Sequence, residues 1–286
     1  MKKPLVKKPL SRKNKFGKAQ SKRPTKKPSA LKRNKSWLFY GQSGTGKTTL
    51  AGTFPGPILF IDFKDEGTES VDDIPDVEVY EVTSVEELEE AYWWLKSQED
   101  FFKTVVLDTT TAMQGMIVAE IAAASKMKKK GKRPGEWGSM TQKDWGKASG
   151  LCTKFITDFK ELDMETVFIA QQKIFDPDEG GDDAEGELSP EVGPANMKSV
   201  SGHVCASVSF IGHTFVRMVD YKVKMKRRRR PEYCIRVGPN PVYITKVRKP
   251  KSIKLPGFVT DPSYDSLMKL REGKFENGKE DKKGQG

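Results

Sequence analysis

GQSGTGKT at residues 41–48 sits between an apolar run, SWLFY at 36–40, and a helix-forming stretch, TTLAGTF at 48–54. It matches the pattern G-x-x-x-x-G-K-[ST] in full. Gly41, Gly44 and Gly46 allow a loop whose backbone N–H groups turn inward around phosphate oxygens. A helix opening near Lys47 aims its positive dipole end at the same anion. Lys47 is placed to reach the β- and γ-phosphates, and the Thr48 hydroxyl to ligate magnesium. The flanking strand and helix are the context that separates a phosphate loop from a chance glycine turn. The expected nucleotide contacts are Gly41, Gln42, Ser43, Gly44, Thr45, Gly46, Lys47, Thr48 and Thr49, with ATP and Mg2+ as ligands.

A phosphate loop needs an acid at the end of a neighbouring strand to hold the metal. TVVLD at 104–108 supplies Asp108 after four buried-strand residues, and ILFID at 58–62 supplies a rival, Asp62. Asp108 is preferred.

Strand and helix patterns alternate outward from the loop. PILFIDF (57–63), TVVLD (104–108) and TVFIA (166–170) are short apolar runs typical of strands buried on both faces, and DVEVYEV (76–82) alternates. Helical spacing marks 85–98, 112–126 and 141–163. This order predicts an α/β fold with a mainly parallel sheet. From about residue 206 the pattern turns β-rich and antiparallel, with VYITKV as a strand and RRRRPE (227–232) as a hairpin tip. The predicted organisation is a disordered basic arm at 1–35, an ATPase domain at 36–250 with the antiparallel β extension at its end, and a polar tail at 251–286.

The charge is segregated. The chain carries a net +12, yet residues 1–35 hold 15 Lys and Arg and no acid, and the other 251 residues hold 36 basic and 39 acidic groups, a net of −3. Such an arm buries too little apolar surface to order itself, and it attracts polyanions, of which nucleic acid is the common one. A second basic stretch, KMKKKGKR at 126–133, is followed by Trp137. Cations with a nearby aromatic suit a single strand, which offers both phosphates and unstacked bases. By contrast, FDPDEGGDDAEGE at 175–187 carries seven acids; it approaches a calcium loop but has Gly180 at the fifth position. No stretch nears the ~18 apolar residues of a membrane span, and three scattered cysteines suit a reducing cytoplasm.

Three further segments carry a family resemblance. ILFIDFKDEGT (58–68) resembles the second strand of RecA-type recombinases, VVLDTTTAM (105–113) their metal-binding strand, and TVFIAQQK (166–173) the strand ending in a γ-phosphate-sensing glutamine. More closely, residues 36–250 resemble phage-encoded RecA-like ATPases of single-strand annealing and recombination, sharing Gly67 to Val71 and the Asp-Trp-Gly at 144–146. The resemblance implies a RecA-like core in which Glu66 polarises the attacking water and Gln171 senses the γ-phosphate. An insertion before Glu66 leaves Asp65 as an alternative base. It also implies that Lys246 and Arg248, which a strand would point the same way, reach into a neighbouring subunit's site. The expected partners are single-stranded DNA, further copies of the chain and a single-strand-binding protein, without a membrane, in the cytoplasm of a bacterial host. The alternatives are a replication ATPase such as a helicase loader, or a small-molecule kinase whose lid is the RRRR run.

Overall fold

The computed structural model describes residues 35–64, 67–97, 101–125, 140–175, 191–223 and 226–275. Outside that set lie most of the basic arm, Asp65 and Glu66, the basic loop at 126–133 and the acidic segment at 176–187.

The phosphate loop leaves the middle of a ten-stranded sheet. β1 (Ser36–Gly41) pairs in parallel with β5 (Glu165–Phe175) on one side and with β7 (Phe210–Val223) on the other. β4 (Thr104–Asp108), β2 (Ile58–Asp62) and β3 (Val77–Glu81) continue the parallel array outward from β5. β8 (Lys226–Arg236) and β10 (Phe258–Thr260) close the far side antiparallel. The resulting order, β10-β8-β7-β1-β5-β4-β2-β3, is mixed α/β with a mostly parallel centre and antiparallel strands at one side.

β1 is buried along its whole length, which is why SWLFY reads as a continuous apolar run. Its alternate side chains serve two cores. Leu38 and Tyr40 join the residues of α2 (Val85–Ser97), α3 (Thr110–Ala124), α4 (Gln142–Lys160) and α5 (Lys198–Ser207). Trp37 and Phe39 face the other side, with Leu50 and Ala51 of α1 (Lys47–Ala51) and with Leu267 and Leu270 of α6 (Tyr264–Glu272). Tyr40 carries a hydroxyl into the first core. It donates to the carbonyls of Val192 and Ile244, at 2.9 and 3.0 Å.

Four sequence expectations change. The predicted boundary at residue 250 falls inside the fold, because β10 pairs with β8 and α6 covers the second core. α6 is capped by Ser263 and ends at Gly273 in the left-handed region, and Tyr264 joins Phe54 and Trp37 in an aromatic cluster. Burying Leu267 and Leu270 contributes about 1.5–3 kcal/mol each. RRRRPE is not a hairpin tip: all six residues lie along β8, paired with residues 217–222 of β7, and the pairing continues past them to Val223↔Lys226. VYITKV contributes only β9 (Lys246–Val247) as a strand, paired to the start of β7. Finally, β5 runs on to Phe175 and pairs antiparallel with β6 (Glu191–Pro194), so Gln171 lies within a strand rather than at its end.

Candidate active site

The parallel strands share one C-terminal edge, where crossover connections leave a crevice. Register places Gly41 opposite Gln171, and Asp62 opposite Asp108. The P-loop, both acids and Gln171 therefore meet at this edge.

Gly44 and Gly46 have φ of 72° and 80°, left-handed values that an L side chain rarely adopts. Gly46 is also the residue from which α1 starts. The loop is cross-braced. Thr45 Oγ1 donates to the Gln42 carbonyl at 2.8 Å and lies 2.7 Å from Thr214 Oγ1 on β7. Lys47 is only 6% exposed; its Nζ donates to the carbonyls of Gln42 at 2.7 Å and Gly41 at 3.3 Å. Ser43, Gly44, Thr48 and Thr49 line a cavity of about 660 Å³, together with Gly67, Asp108, Thr109 and Gln171. That volume suits a nucleotide.

One contact makes a candidate metal site: Thr48 Oγ1 donates to Asp108 Oδ2 at 2.7 Å. Asp108 is 3% exposed, so its carboxylate is aimed by the fold rather than by solvent. Behind it, Thr109 caps α3 by accepting from the Ala112 N–H. Thr110 Oγ1 donates to the Ile169 carbonyl, and Asn196 Nδ2 donates to the Thr110 carbonyl. A hydroxyl and a carboxylate side by side are hard oxygen ligands, the donor set Mg2+ prefers. Asp62 is one strand further out and accepts from Thr68 Oγ1 at 3.4 Å. Gly67 faces the metal pair, since a Cβ there would stand 3.4 Å from Asp108 Oδ2 and 3.5 Å from Thr48 Oγ1. Glu66, the expected base, immediately precedes it but lies outside the described residues.

Gln171 borders the cavity, with its N–H donating to Thr111 Oγ1 and its carbonyl accepting from the Ala195 N–H. Lys246 and Arg248 do not line the cavity. Lys246 Nζ donates to the carbonyls of Cys205 and Ala206 at 2.7 and 2.8 Å, and Arg248 Nη2 to that of Ala206 at 3.1 Å. Within the chain the two cations cap the C-terminal end of α5, whose last carbonyls have no helical partner. Burial holds the Lys246 ammonium below the usual lysine range, with Arg248 adding to the effect.

Sequence reasoning missed the wall opposite the loop. Tyr233 of β8 lies against Gly46, its ring 3.2 Å from where a Cβ would stand, and Asp261 and Pro262 complete that wall. Nothing local marks these residues, because β8 and the segment after β10 return to the P-loop only through the sheet. His213 of β7, beside Tyr40, is a further buried group. It contacts Gln172 at 3.0 Å and stacks on Tyr243. Burial, then the charges of Arg236 and Lys47, push it down to about 4, so the ring is neutral at pH 7.

A family model described as an AAA domain matches residues 33–248. Among solved structures, a KaiC-like protein from the hyperthermophilic archaeon Pyrococcus horikoshii is similar at 13% identity, covering 81% of this chain and 92% of that one, with a TM-score of 0.38. No curated protein matches the chain.

Proposed function

The chain belongs to the AAA domain family and is a P-loop ATPase, and we propose that its hydrolysis of ATP is stimulated by single-stranded DNA and serves recombination or annealing. The observation that carries the ATPase reading is the Thr48–Asp108 contact beside the P-loop. The polyanion reading rests on charge segregation: 15 cations and no acid in residues 1–35, against a net −3 in the remainder. The KMKKKGKR stretch with Trp137 nearby adds cations and a stacking surface in the connection between α3 and α4.

In this reading the ATP phosphates lie in the loop formed by residues 41–48. Lys47 exchanges its carbonyl partners for the β- and γ-phosphates. Thr48 and Asp108 would hold Mg2+, which would offset phosphate charge when bound. Glu66 accepts the proton of the attacking water. Gln171, at the cavity border, contacts the γ-phosphate and transmits its loss along β5 toward residues 176–187.

The test is the rate of ATP hydrolysis by the full chain with and without a single-stranded oligonucleotide. A rise in turnover that saturates with oligonucleotide is expected. Hydrolysis indifferent to any nucleic acid refutes the DNA assignment and leaves the ATPase standing.

A further inference from the structure

Beyond Thr214 the strand β7 leaves β1 behind, and before Cys234 the strand β8 has not yet reached β10. From Arg217↔Glu232 to Val223↔Lys226 β7 and β8 pair only with each other among the described residues, while at the base the Asp261 N–H still donates to the Tyr233 carbonyl at 2.8 Å. Those seven residue pairs, at ~3.3 Å per residue, make a two-stranded ribbon roughly 20 Å long. Because β7 runs parallel to β1, the ribbon projects past the edge that carries the P-loop. Its base is Tyr233, the ring lying against Gly46.

Residues 217–232 contain eight Lys and Arg and two acids. Both acids are already paired: Asp220 with Arg229 at 2.9 Å, and Glu232 with Arg217 at 2.9 Å and Arg230 at 3.4 Å. Arg227 and Arg228 have no carboxylate partner among the described residues. Arg229 and Arg230 are 73% and 62% exposed, so their surface ion pairs are weak and exchangeable. Consecutive residues of a strand alternate faces, so Arg227 and Arg229 project from one face and Arg228 and Arg230 from the other. Four adjacent arginines repel each other, and an isolated ribbon is marginal by itself. The charge is therefore not there for the ribbon's own stability.

Cations on both faces discriminate between occupants. A docked protein covers one face of a ribbon, whereas a nucleic-acid groove or a wrapped strand presents phosphates to both; a two-stranded ribbon also has the width of such a groove. Met218 at 60% exposure and Tyr221 at 37% offer apolar contact between the charges.

We propose that the β7–β8 ribbon is a phosphate-backbone contact for nucleic acid that holds the strand beside the nucleotide cavity. It rests on the reading of this ATPase as one that acts on nucleic acid, and it assigns that contact to residues other than the arm and the 126–133 loop.

The test uses the full chain and fluorescent oligonucleotides, single-stranded and duplex, with binding followed by anisotropy across a salt series. Removing two phosphate contacts in Arg227→Ala/Arg228→Ala should flatten the log–log salt slope by about 1.4 for a single strand and weaken binding about 25-fold at 0.1 M salt. Arg227→Lys/Arg228→Lys should keep the slope, because the contact is one of charge. ATP turnover without nucleic acid should stay unchanged in both variants, since neither arginine lines the cavity. Loss confined to single strands, or to duplex, supports the proposal and names the form bound. Unchanged slope and affinity in the alanine variant overturn it while leaving the proposed function intact. So does an unchanged slope accompanied by a smaller sedimentation coefficient, which would make the ribbon a contact between copies of the chain. A wild-type chain that binds no oligonucleotide overturns both.

Discussion

Replacing Asp108 by Asn removes one charge and almost no volume from the metal pair. The Thr48 hydroxyl keeps a carbonyl-type acceptor at 2.7 Å, so the loop should hold its shape. What is lost is the anionic member of the proposed Mg2+ site. Hydrogen bonds to charged groups contribute about 1.5–3 kcal/mol, and ~1.4 kcal/mol is tenfold in an equilibrium constant, so half-saturation for Mg2+ should rise roughly 10–150-fold. Thermal stability should not fall, because Asp62 lies opposite Asp108 in register and one of two like charges is removed. The assay is ATP turnover at saturating nucleotide as a function of Mg2+, with a thermal melt alongside. An Asp108→Asn chain with wild-type Mg2+ half-saturation refutes the reasoning, most pointedly if Asp62→Asn shows the shift instead. The metal acid would then sit one strand further out.

Glu66→Gln should retain nucleotide binding by equilibrium titration and lose turnover; if Asp65→Asn does so instead, the base is the earlier residue. Leu267→Ala opens a cavity in the second core and should cost about 2–5 kcal/mol, or roughly 4–20 °C in melting temperature, whereas a 251–286 segment dispensable to the fold would leave the melt unmoved. His213 titrates near 4 when folded and near 6.5 when unfolded. The unfolded chain thus binds more protons between those values, and stability is lost as pH falls from 6.5 toward 4. His213→Gln should flatten that part of the urea-midpoint profile, and a profile identical to wild type would remove His213 as its cause.

The P-loop and its strand were legible because their signals are local: a glycine pattern, an apolar run before it and a helix former after it. The place of Asp108 at the end of a buried strand beside Thr48 was legible for the same reason, from the apolar run that precedes it. Other features are set by contacts distant in sequence. α6 offers only Leu267 and Leu270 as fully buried apolar residues among polar neighbours, and their burial depends on Trp37 and Phe54, some 200 positions earlier. The arginine run looks like a turn by polarity alone, yet its residues alternate along a strand paired with β7, where Val219 and Tyr221 alternate with Asp220 and Lys222. Lys246 and Arg248 carry no sign in their own segment that the carbonyls of α5 lie beside them. Tyr233 becomes part of the cavity wall only once β8 is laid next to β7, and β7 next to β1.

The most direct measurement compares Mg2+-dependent ATP hydrolysis by the wild-type chain and by Lys47→Ala. Lys47 is buried with its ammonium inside the loop, so its removal strips the positive charge from the phosphate site without disturbing either core. Turnover should fall below about a tenth of wild type with folding intact by circular dichroism; a folded Lys47→Ala chain that hydrolyses ATP at the wild-type rate would mean that the chemistry is not done at this loop.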